Sequence, residues 1–273
     1  MAYWEKIMKK QVILALVDGM RPDGVAACGH PFFERLKAES TYCLSAQTIT
    51  RPITLPAHIS LFTGVDQHHH TNLDNDWHPY PQRYDGILET AHDAGKKTAM
   101  IITWEPLRNL GRPGSADRID FLRGDTPDRD VPALLEFERN WTKKALDVIR
   151  SQEYDFIFFY FEMADVIGHR VSWMSPEYLQ ALHCAGECLE MIFDALSPDQ
   201  RMILLADHGG NVKSHSDPQD PAVMTIPIYC YGNEFPKGKA AEGWHILDVA
   251  PTIAQLLETK IPEHYQGTSL VEK

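Results

Sequence analysis

Residues 11–19 read QVILALVDG, a short and continuous apolar run that ends in an aspartate and a glycine. A run of this length without alternation between apolar and polar residues is typical of a strand buried on both faces of a parallel sheet. Four similar runs follow along the chain, and each is predicted to be a buried strand. The five runs are Val12–Val17, Thr98–Thr103, Asp155–Phe161, Met202–Ala206 and Ile226–Tyr231.

Between these runs, apolar residues recur at steps of three and four, which is the period of a helix with one buried face. The alternation of strand and helix predicts an α/β fold, a three-layer α/β/α sandwich with a mostly parallel central sheet. We expect a single domain over residues 1–273, since a chain of this length can form one large core. The predicted helices are Phe32–Ser40, Tyr84–Ala94, Ala133–Gln152, Ser175–Leu196 and Leu247–Glu258.

One connection is unusually long. Residues 112–132 read RPGSADRIDFLRGDTPDRDVP, a polar segment rich in proline and glycine. Such a segment is either a plain surface loop or a lid over a ligand site, because long ordered loops are often functional. The sequence predicts a loop here and leaves both roles open.

The charge balance excludes several kinds of partner. The chain has 26 Lys and Arg against 38 Asp and Glu, a formal net charge of −12. Binding to a nucleic-acid polymer or to an anionic membrane surface requires clusters of basic residues, so neither is expected. The longest apolar run, FIFFYF at 156–161, is far shorter than the roughly 18 residues of a membrane-spanning helix.

The N-terminal residues have a superficial likeness to a signal peptide, because lysines precede the first apolar run. That run is short and ends in Asp18 without a cleavage pattern of small residues, which favours a strand. The five cysteines are odd in number and lack the spacing of a metal knuckle, so we expect buried thiols. These features predict a cytoplasmic protein and leave its oligomeric state unknown.

Three aspartates follow predicted strands. Asp18 comes directly after the first strand, Asp165 shortly after FIFFYF, and Asp207 at the end of MILLAD. In open parallel sheets the ligand site lies at the carboxyl ends of the strands. A single aspartate at such a position is often only a cap, but three at one edge are hard to explain by capping.

Histidines accompany two of these aspartates. His169 stands four residues after Asp165, and Asp207 is followed by His208 and His215. Carboxylate oxygens and imidazole nitrogens bind divalent transition metals, zinc above all and manganese as the alternative. With Asp18 the set offers six donors, too many for one tetrahedral zinc ion. We therefore predict two divalent metal ions with three protein ligands each and open positions for a substrate.

The segment RPITLPAHISLFTG, residues 51–64, can form a short helix near Thr54. Thr54 is either only the N-cap of that helix or a functional hydroxyl. In the second case the helix N-terminus favours a bound anion, and a metal ion that removes the hydroxyl proton turns Thr54 into a nucleophile. The spacing alone leaves both roles open.

These motifs resemble the alkaline phosphatase superfamily, and within it the chain is most similar to the type I phosphodiesterase/nucleotide pyrophosphatase family. The resemblance extends from Asp18 to Leu270 with the motifs in the family's order. It implies an alkaline phosphatase-like fold and a two-metal hydrolase that acts on a small phosphate ester. The matching segments are DGMRPD (18–23), TLPAH (54–58), DVIGH (165–169), DHG (207–209), His215, DVAPTI (248–253) and GTSL (267–270).

The resemblance also implies a role for each residue. Thr54 would be the nucleophile that forms a covalent phosphothreonine. Asn75 would contact the phosphoryl oxygens, and Asn72 is the competing choice. One metal ion would be held by Asp165, His169 and His215, and the other by Asp18, Asp207 and His208.

Other functions remain open. A phosphomonoesterase, a phosphonate hydrolase or a mutase of the same superfamily is the first alternative, whereas a sulfatase is disfavoured because a threonine cannot supply formylglycine. A non-catalytic protein that binds a metal or a phosphorylated ligand is the alternative from another class. Aromatic residues that could line a leaving-group pocket, although such residues are more often core, are Trp77, Tyr80, Tyr84 and Trp104.

Overall fold

The computed structural model of the chain describes residues 10–76 and 83–272. Within these ranges the strands are β1 (Val12–Val17), β2 (Thr41–Gln47), β3 (Thr98–Ile102), β4 (Arg118–Phe121), β5 (Phe156–Phe161), β6 (Arg201–Leu205), β7 (Thr225–Tyr231) and β8 (Lys239–Ala240). They form one sheet in the order β4-β3-β5-β1-β6-β7-β2-β8.

The first five strands in this order, β4, β3, β5, β1 and β6, are parallel to one another. Strand β7 runs antiparallel to both of its neighbours, β6 and β2. In the centre of the sheet, Val17 of β1 is level with Phe161 of β5, and Leu16 is level with Leu205 of β6. The carboxyl ends of β5, β1 and β6 therefore meet at one edge. The prediction of a mostly parallel sheet is confirmed.

The described residues form helices α1 (Pro22–Ala27), α2 (Phe32–Glu39), α3 (Thr54–Thr63), α4 (Gln67–His70), α5 (Ile87–Asp93), α6 (Val131–Ser151), α7 (Met163–Arg170), α8 (Pro176–Asp194), α9 (Pro221–Met224) and α10 (Val249–Leu256), with 3₁₀ helices at Glu105–Asn109 and Ile246–Asp248. Every residue of β1, β5 and β6 is buried, so the sheet is covered on both faces. Helices α1, α2, α6 and α7 pack against α8, and α3, α5 and α10 pack against one another. These two helical layers and the sheet are the predicted three layers.

No helix in the described ranges is both long and apolar enough to cross a membrane.

All five predicted strands and all five predicted helices are present, with ends displaced by a few residues. The prediction of a loop over residues 112–132 is wrong in part, because the segment contains β4 and the first residues of α6. Strand β4 lies at the edge of the sheet and its residues are only partly buried, so it lacks the continuous apolar run of a central strand. Strand β2 is likewise only partly buried.

Helix α3 ends at Gly64, which adopts the left-handed conformation with φ +65° and donates its N–H to the carbonyl of Ser60. A Cβ atom at this position would lie 2.6 Å from the ring of Tyr265. Gly29 also has a positive φ, +71°, but has open space around it. An alanine at either position would suffer backbone strain, but only an alanine at position 64 would also clash with a neighbouring side chain.

We expect Gly64→Ala to lower the free energy of unfolding by about 2–5 kcal/mol, because left-handed strain and overpacking against Tyr265 add together. Gly29→Ala is the matched control and should cost only about 1–2 kcal/mol, from strain alone. Urea denaturation of both variants measures the difference. Equal losses would contradict a packing contribution from Tyr265.

Candidate active site

Three aspartates meet at the edge where β1, β5 and β6 end. Asp18 follows β1 directly, Asp165 lies in the first turn of α7 after β5, and Asp207 is the second residue after β6. Each has one buried carboxylate oxygen without a hydrogen-bond partner among the described residues: Oδ1 of Asp18, Oδ1 of Asp165 and Oδ2 of Asp207. Buried carboxylate oxygens left in this state require either a proton or a cation.

The electrostatics of this edge also favour a cation. Burial, the largest effect, raises the pKa of each of the three aspartates. The charge of Asp207 raises the pKa of Asp18 and Asp165 further. A divalent cation reverses this balance because it stabilises the ionised carboxylates. The three side chains therefore fit a metal ion.

The three histidines of the predicted set are oriented by the backbone. Each places Nδ1 at hydrogen-bond distance from a carbonyl oxygen, and since a carbonyl only accepts, Nδ1 must carry the proton. The pairs are His169 with Lys213 (2.9 Å), His208 with Gly209 (2.8 Å) and His215 with Pro52 (2.6 Å). This arrangement leaves each Nε2 free to bind a metal ion.

Burial also controls the charge of these rings. It lowers the pKa of His208 and of His215 to about 3. Both imidazoles are therefore neutral at pH 7, which is the form that ligates metals. The two rings stack with their centroids 3.7 Å apart.

The donors converge in two groups, each with ligand atoms within 4.8 Å of one another: Asp165, His169 and His215 in the first, and Asp18, Asp165 and His208 in the second. The first group coincides with a predicted metal site. In the second group Asp165 stands where the prediction has Asp207. Asp207 nevertheless lies next to this second group, because its Oδ2 is 3.2 Å from Nε2 of His208.

Neighbouring residues hold the aspartates in position. The hydroxyl of Tyr160 donates a hydrogen bond to Oδ2 of Asp18, and the N–H of Gly19 donates to Oδ1 of Asp207 at 3.2 Å. Gly19 has φ +67°, and a Cβ there would lie 3.2 Å from Oδ1 of Asp165. The sequence analysis missed Tyr160, whose only signal is a single hydroxyl inside an apolar strand.

Thr54 is the first residue of α3, and Ile53 is the N-cap, so the prediction that Thr54 is the cap is wrong by one residue. Its Oγ1 lies 3.2 Å from Nε2 of His208. The hydroxyl is thus directed at the second group of donors from the N-terminus of a helix, where backbone N–H groups favour an anion.

The structure distinguishes the two candidate asparagines. Oδ1 of Asn75 accepts a hydrogen bond from the N–H of Leu55 at 2.9 Å, beside Thr54. Asn72 instead donates from Nδ2 to the carbonyl of His70 at 3.2 Å. Among the described residues Asn75 lines the cavity at this edge, and Asn72 does not.

That cavity has a volume of about 470 Å³. Six predicted site residues line it: Asp18, Thr54, Asn75, Asp165, His169 and His215. Of the aromatic candidates Trp104 also lines it, whereas Tyr84 packs against His264, and Trp77 and Tyr80 lie outside the described residues. The lining residues that the sequence analysis missed include Phe121, Arg123, Asp125, Tyr160, Glu162 and Arg170.

In a mostly parallel α/β/α sandwich, ligands bind at the carboxyl edge of the sheet, which is where the aspartate and histidine donors lie here. The chain belongs to the type I phosphodiesterase/nucleotide pyrophosphatase family, whose model matches residues 12–217. Membership of this family supports an enzyme that acts on phosphate groups.

Solved structures share the fold at low sequence identity. Murine ectonucleotide pyrophosphatase/phosphodiesterase 5 has a TM-score of 0.76 and 14% identity, over 92% of this chain and 96% of that protein. It has also been solved as an inactive threonine-to-alanine variant in complex with AMP. The phosphonate monoester hydrolase of Silicibacter pomeroyi has a TM-score of 0.68 and 13% identity, over 96% and 76% of the two chains.

A curated relative at the sequence level is the 2,3-bisphosphoglycerate-independent phosphoglycerate mutase of Clostridioides difficile (strain 630). It is 30% identical over 139 residues, which are 48% of this chain and 27% of the mutase. The match therefore spans about a quarter of the length of that relative.

We expect Zn²⁺ or Mn²⁺, at about a hundredfold excess over Kd, to raise the Tm of the chelator-treated protein by about 5–10 °C. The shift should be larger at pH 8 than at pH 5. Because burial raises the pKa of Asp18 and Asp165, the metal-free fold loses stability as the pH rises through those values, and at low pH protons compete with the cation. Differential scanning fluorimetry with and without EDTA measures both effects.

Asp165→Asn should remove most of this shift, because Asp165 belongs to both groups of donors. Asp128→Asn, at an exposed surface carboxylate, is the matched control and should keep it. An undiminished shift in the Asp165→Asn variant would contradict the assignment.

Proposed function

We propose that the chain hydrolyses small phosphoric esters, with Thr54 as the nucleophile and two divalent metal ions, zinc being favoured over manganese, as cofactors. The observation that carries this proposal is the position of the Thr54 hydroxyl, 3.2 Å from Nε2 of His208 and at the wall of the cavity that is also lined by Asp18, Asp165, His169 and His215. The murine ectonucleotide pyrophosphatase/phosphodiesterase 5, which was solved with AMP as an inactive threonine-to-alanine variant, supports it.

The residues present fit the metal ions. Oxygens of three aspartates that have no hydrogen-bond partner among the described residues and the Nε2 atoms of three histidines converge at this edge. Asp165, His169 and His215 would hold one ion, and Asp18, His208 and Asp207 the other. When bound, the ions supply positive charge that favours ionisation of the threonine hydroxyl and stabilises negative charge on the phosphoryl oxygens.

The chain's own groups then perform two in-line displacements. The N-terminus of α3 attracts the phosphoryl group and holds it next to Thr54. Oγ of Thr54 forms a bond to phosphorus while the bond to the ester oxygen breaks, and the departing alcohol takes up a proton. Water then attacks the phosphothreonine, which releases the phosphate product and restores the hydroxyl.

Asn75 has the geometry of a group that binds the phosphoryl oxygens. Its Oδ1 is occupied by the N–H of Leu55, so its Nδ2 is the part of the amide that is left to donate toward the cavity. A fixed donor beside the reacting group stabilises charge that grows in the transition state.

Phosphoryl transfer by a mutase is the second candidate, favoured by the 30% identity to the phosphoglycerate mutase. Metal analysis combined with a panel of monoesters, diesters and phosphonates separates the two, because a mutase returns the phosphoryl group to its substrate and releases none. Two bound metal ions without EDTA-sensitive turnover of any ester would instead favour a non-catalytic binding protein.

Thr54→Ala should reduce the turnover of bis(p-nitrophenyl) phosphate by about 10³-fold or more, because the nucleophile is lost, while the metal content stays unchanged. Thr63→Ala removes a hydroxyl from the other end of α3, where it donates to the carbonyl of Ile59, and should keep the activity. Nitrophenol release and elemental analysis are the measurements. Full activity in Thr54→Ala would overturn the assignment of the nucleophile.

Asn75→Ala should lower kcat/KM by about 10²–10³-fold through the loss of a transition-state donor. Asn72→Ala is the matched control, since Asn72 is bonded to the backbone of the His70 turn, and should change kcat/KM little. Steady-state kinetics of both variants on one substrate decide between the two asparagines. The opposite ranking would show that Asn72 has the role.

A further inference from the structure

The cavity continues beyond Thr54 and the donor groups into a second region, which we term the side pocket. It is bounded by Trp104, Phe121, Arg123, Asp125 and Glu162. These residues follow or end strands β3, β4 and β5, so the side pocket extends the same edge of the sheet outward from the metal-binding groups. A ligand held at Thr54 therefore has room for an organic group on this side.

One wall of the side pocket is fixed by arginines. Nη1 of Arg170 donates to the carbonyl of Arg129 at 2.7 Å, and Nη2 donates to Oδ1 of Asp125 and to the carbonyl of Thr126. Arg129 in turn donates to the carbonyl of Gly124. Because these bonds tie residues 123–129 to the end of α7, the side pocket is formed before a ligand arrives.

Glu162 is the buried polar group of the side pocket. Its side chain lines the cavity, the residue is only 6% exposed, and its Oε2 makes no hydrogen bond of good geometry with the described residues, although the Thr103 hydroxyl and the N–H of Asp125 lie near the carboxyl group. Gly124 approaches so closely that a Cβ there would lie 2.7 Å from Oε2. A buried carboxyl oxygen without a partner is costly, so a ligand that supplies a hydrogen-bond donor here gains more than it would at an exposed site.

The surroundings of Glu162 favour a hydroxyl over an ammonium group as that donor. Arg123 lines the same pocket and already supplies a positive charge near Glu162, which disfavours a second cation. Burial raises the pKa of Glu162 to about 7, so the acid and the carboxylate are both populated near neutral pH. A hydroxyl both donates and accepts, and it bonds to either form, whereas an ammonium group bonds only to the carboxylate.

Half-buried aromatic rings complete the pocket. Trp104 and Phe121 present apolar surface that suits the C–H groups of an alcohol's carbon skeleton. We propose that Glu162 binds a hydroxyl of the substrate's organic group, and that the chain therefore selects phosphate esters of polyhydroxylated alcohols, such as glyceryl or glycosyl esters. This inference rests on the proposed esterase function and names its substrate class.

Two chromogenic diesters test this selectivity: 2,3-dihydroxypropyl p-nitrophenyl phosphate and propyl p-nitrophenyl phosphate. They share the leaving group, so nitrophenol release compares only the organic groups. The wild type should prefer the dihydroxypropyl ester in kcat/KM by about 10–100-fold, the effect of one or two hydrogen bonds to a buried group. Glu162→Leu should abolish the preference, and Glu162→Gln should keep part of it because an amide still bonds to a hydroxyl.

The propyl ester has no hydroxyl for Glu162 to bind, so the ratio of the two rates, rather than either rate alone, measures the selectivity. Glu105→Gln removes an exposed carboxylate from the same cavity and should leave the preference intact. A preference that survives in Glu162→Leu would overturn the inference. An equal slowing of both esters in both Glu162 variants would also overturn it, because it would assign Glu162 a purely structural role.

A binding measurement separates this inference from the proposed reaction. Calorimetry of the Thr54→Ala variant should give a Kd for glycerol 3-phosphate about 10-fold below that for propyl phosphate, and Glu162→Leu in the same background should equalise the two. If the wild type hydrolyses neither diester but this difference in Kd is found, the esterase proposal fails and the role of Glu162 stands. If both diesters are hydrolysed equally and both phosphates bind equally, the inference about Glu162 fails alone.

Discussion

The burial of three neighbouring carboxylates is the constraint on which this structure depends. The parallel strands β1, β5 and β6 bring Asp18, Asp165 and Asp207 to one edge, where burial raises the pKa of all three and the charge of Asp207 raises the pKa of Asp18 and Asp165 further. A folded chain retains such an arrangement only if something outside the chain offsets it. The rings of His208 and His215 are neutral because burial lowers their pKa, and their Nε2 atoms face the carboxylates, so this edge is suited to positive charge.

The same edge explains why a threonine is a reasonable nucleophile. A free hydroxyl is a weak nucleophile at neutral pH, and no described side chain near Thr54 has the position and the basicity of a general base, because His208 is buried and hard to protonate. In the proposed reaction, positive charge at the donor groups and the N-terminus of α3 would make such a base unnecessary. The electrostatics of the sheet edge and the start of α3 therefore belong to one functional unit.

The sequence predicts those parts of the molecule that depend on local pattern. The apolar runs of β1 and β6 identify buried strands, and Asp18 and Asp207 mark their ends. Strand β4 was not predicted, because this edge strand lacks a continuous apolar run. Tyr160 and Glu162 escape prediction because their roles arise from contacts with residues distant in the chain. The choice between Asn75 and Asn72 likewise depends on which amide faces the cavity, and the position of Asp165 between both donor groups depends on how β5 and β1 pair.

The donor groups and the side pocket come from different strands of the sheet, and this separation has an evolutionary consequence. The donor groups come from the ends of β1, β5 and β6 in the centre of the sheet, whereas most of the side pocket comes from β3, β4 and the segment that follows β4 at the periphery. Peripheral segments tolerate insertions and substitutions that central strands do not. Lineages that share this centre can therefore diverge in the molecules they accept by remodelling one margin of the sheet, without disturbing the residues at which bonds would be made and broken.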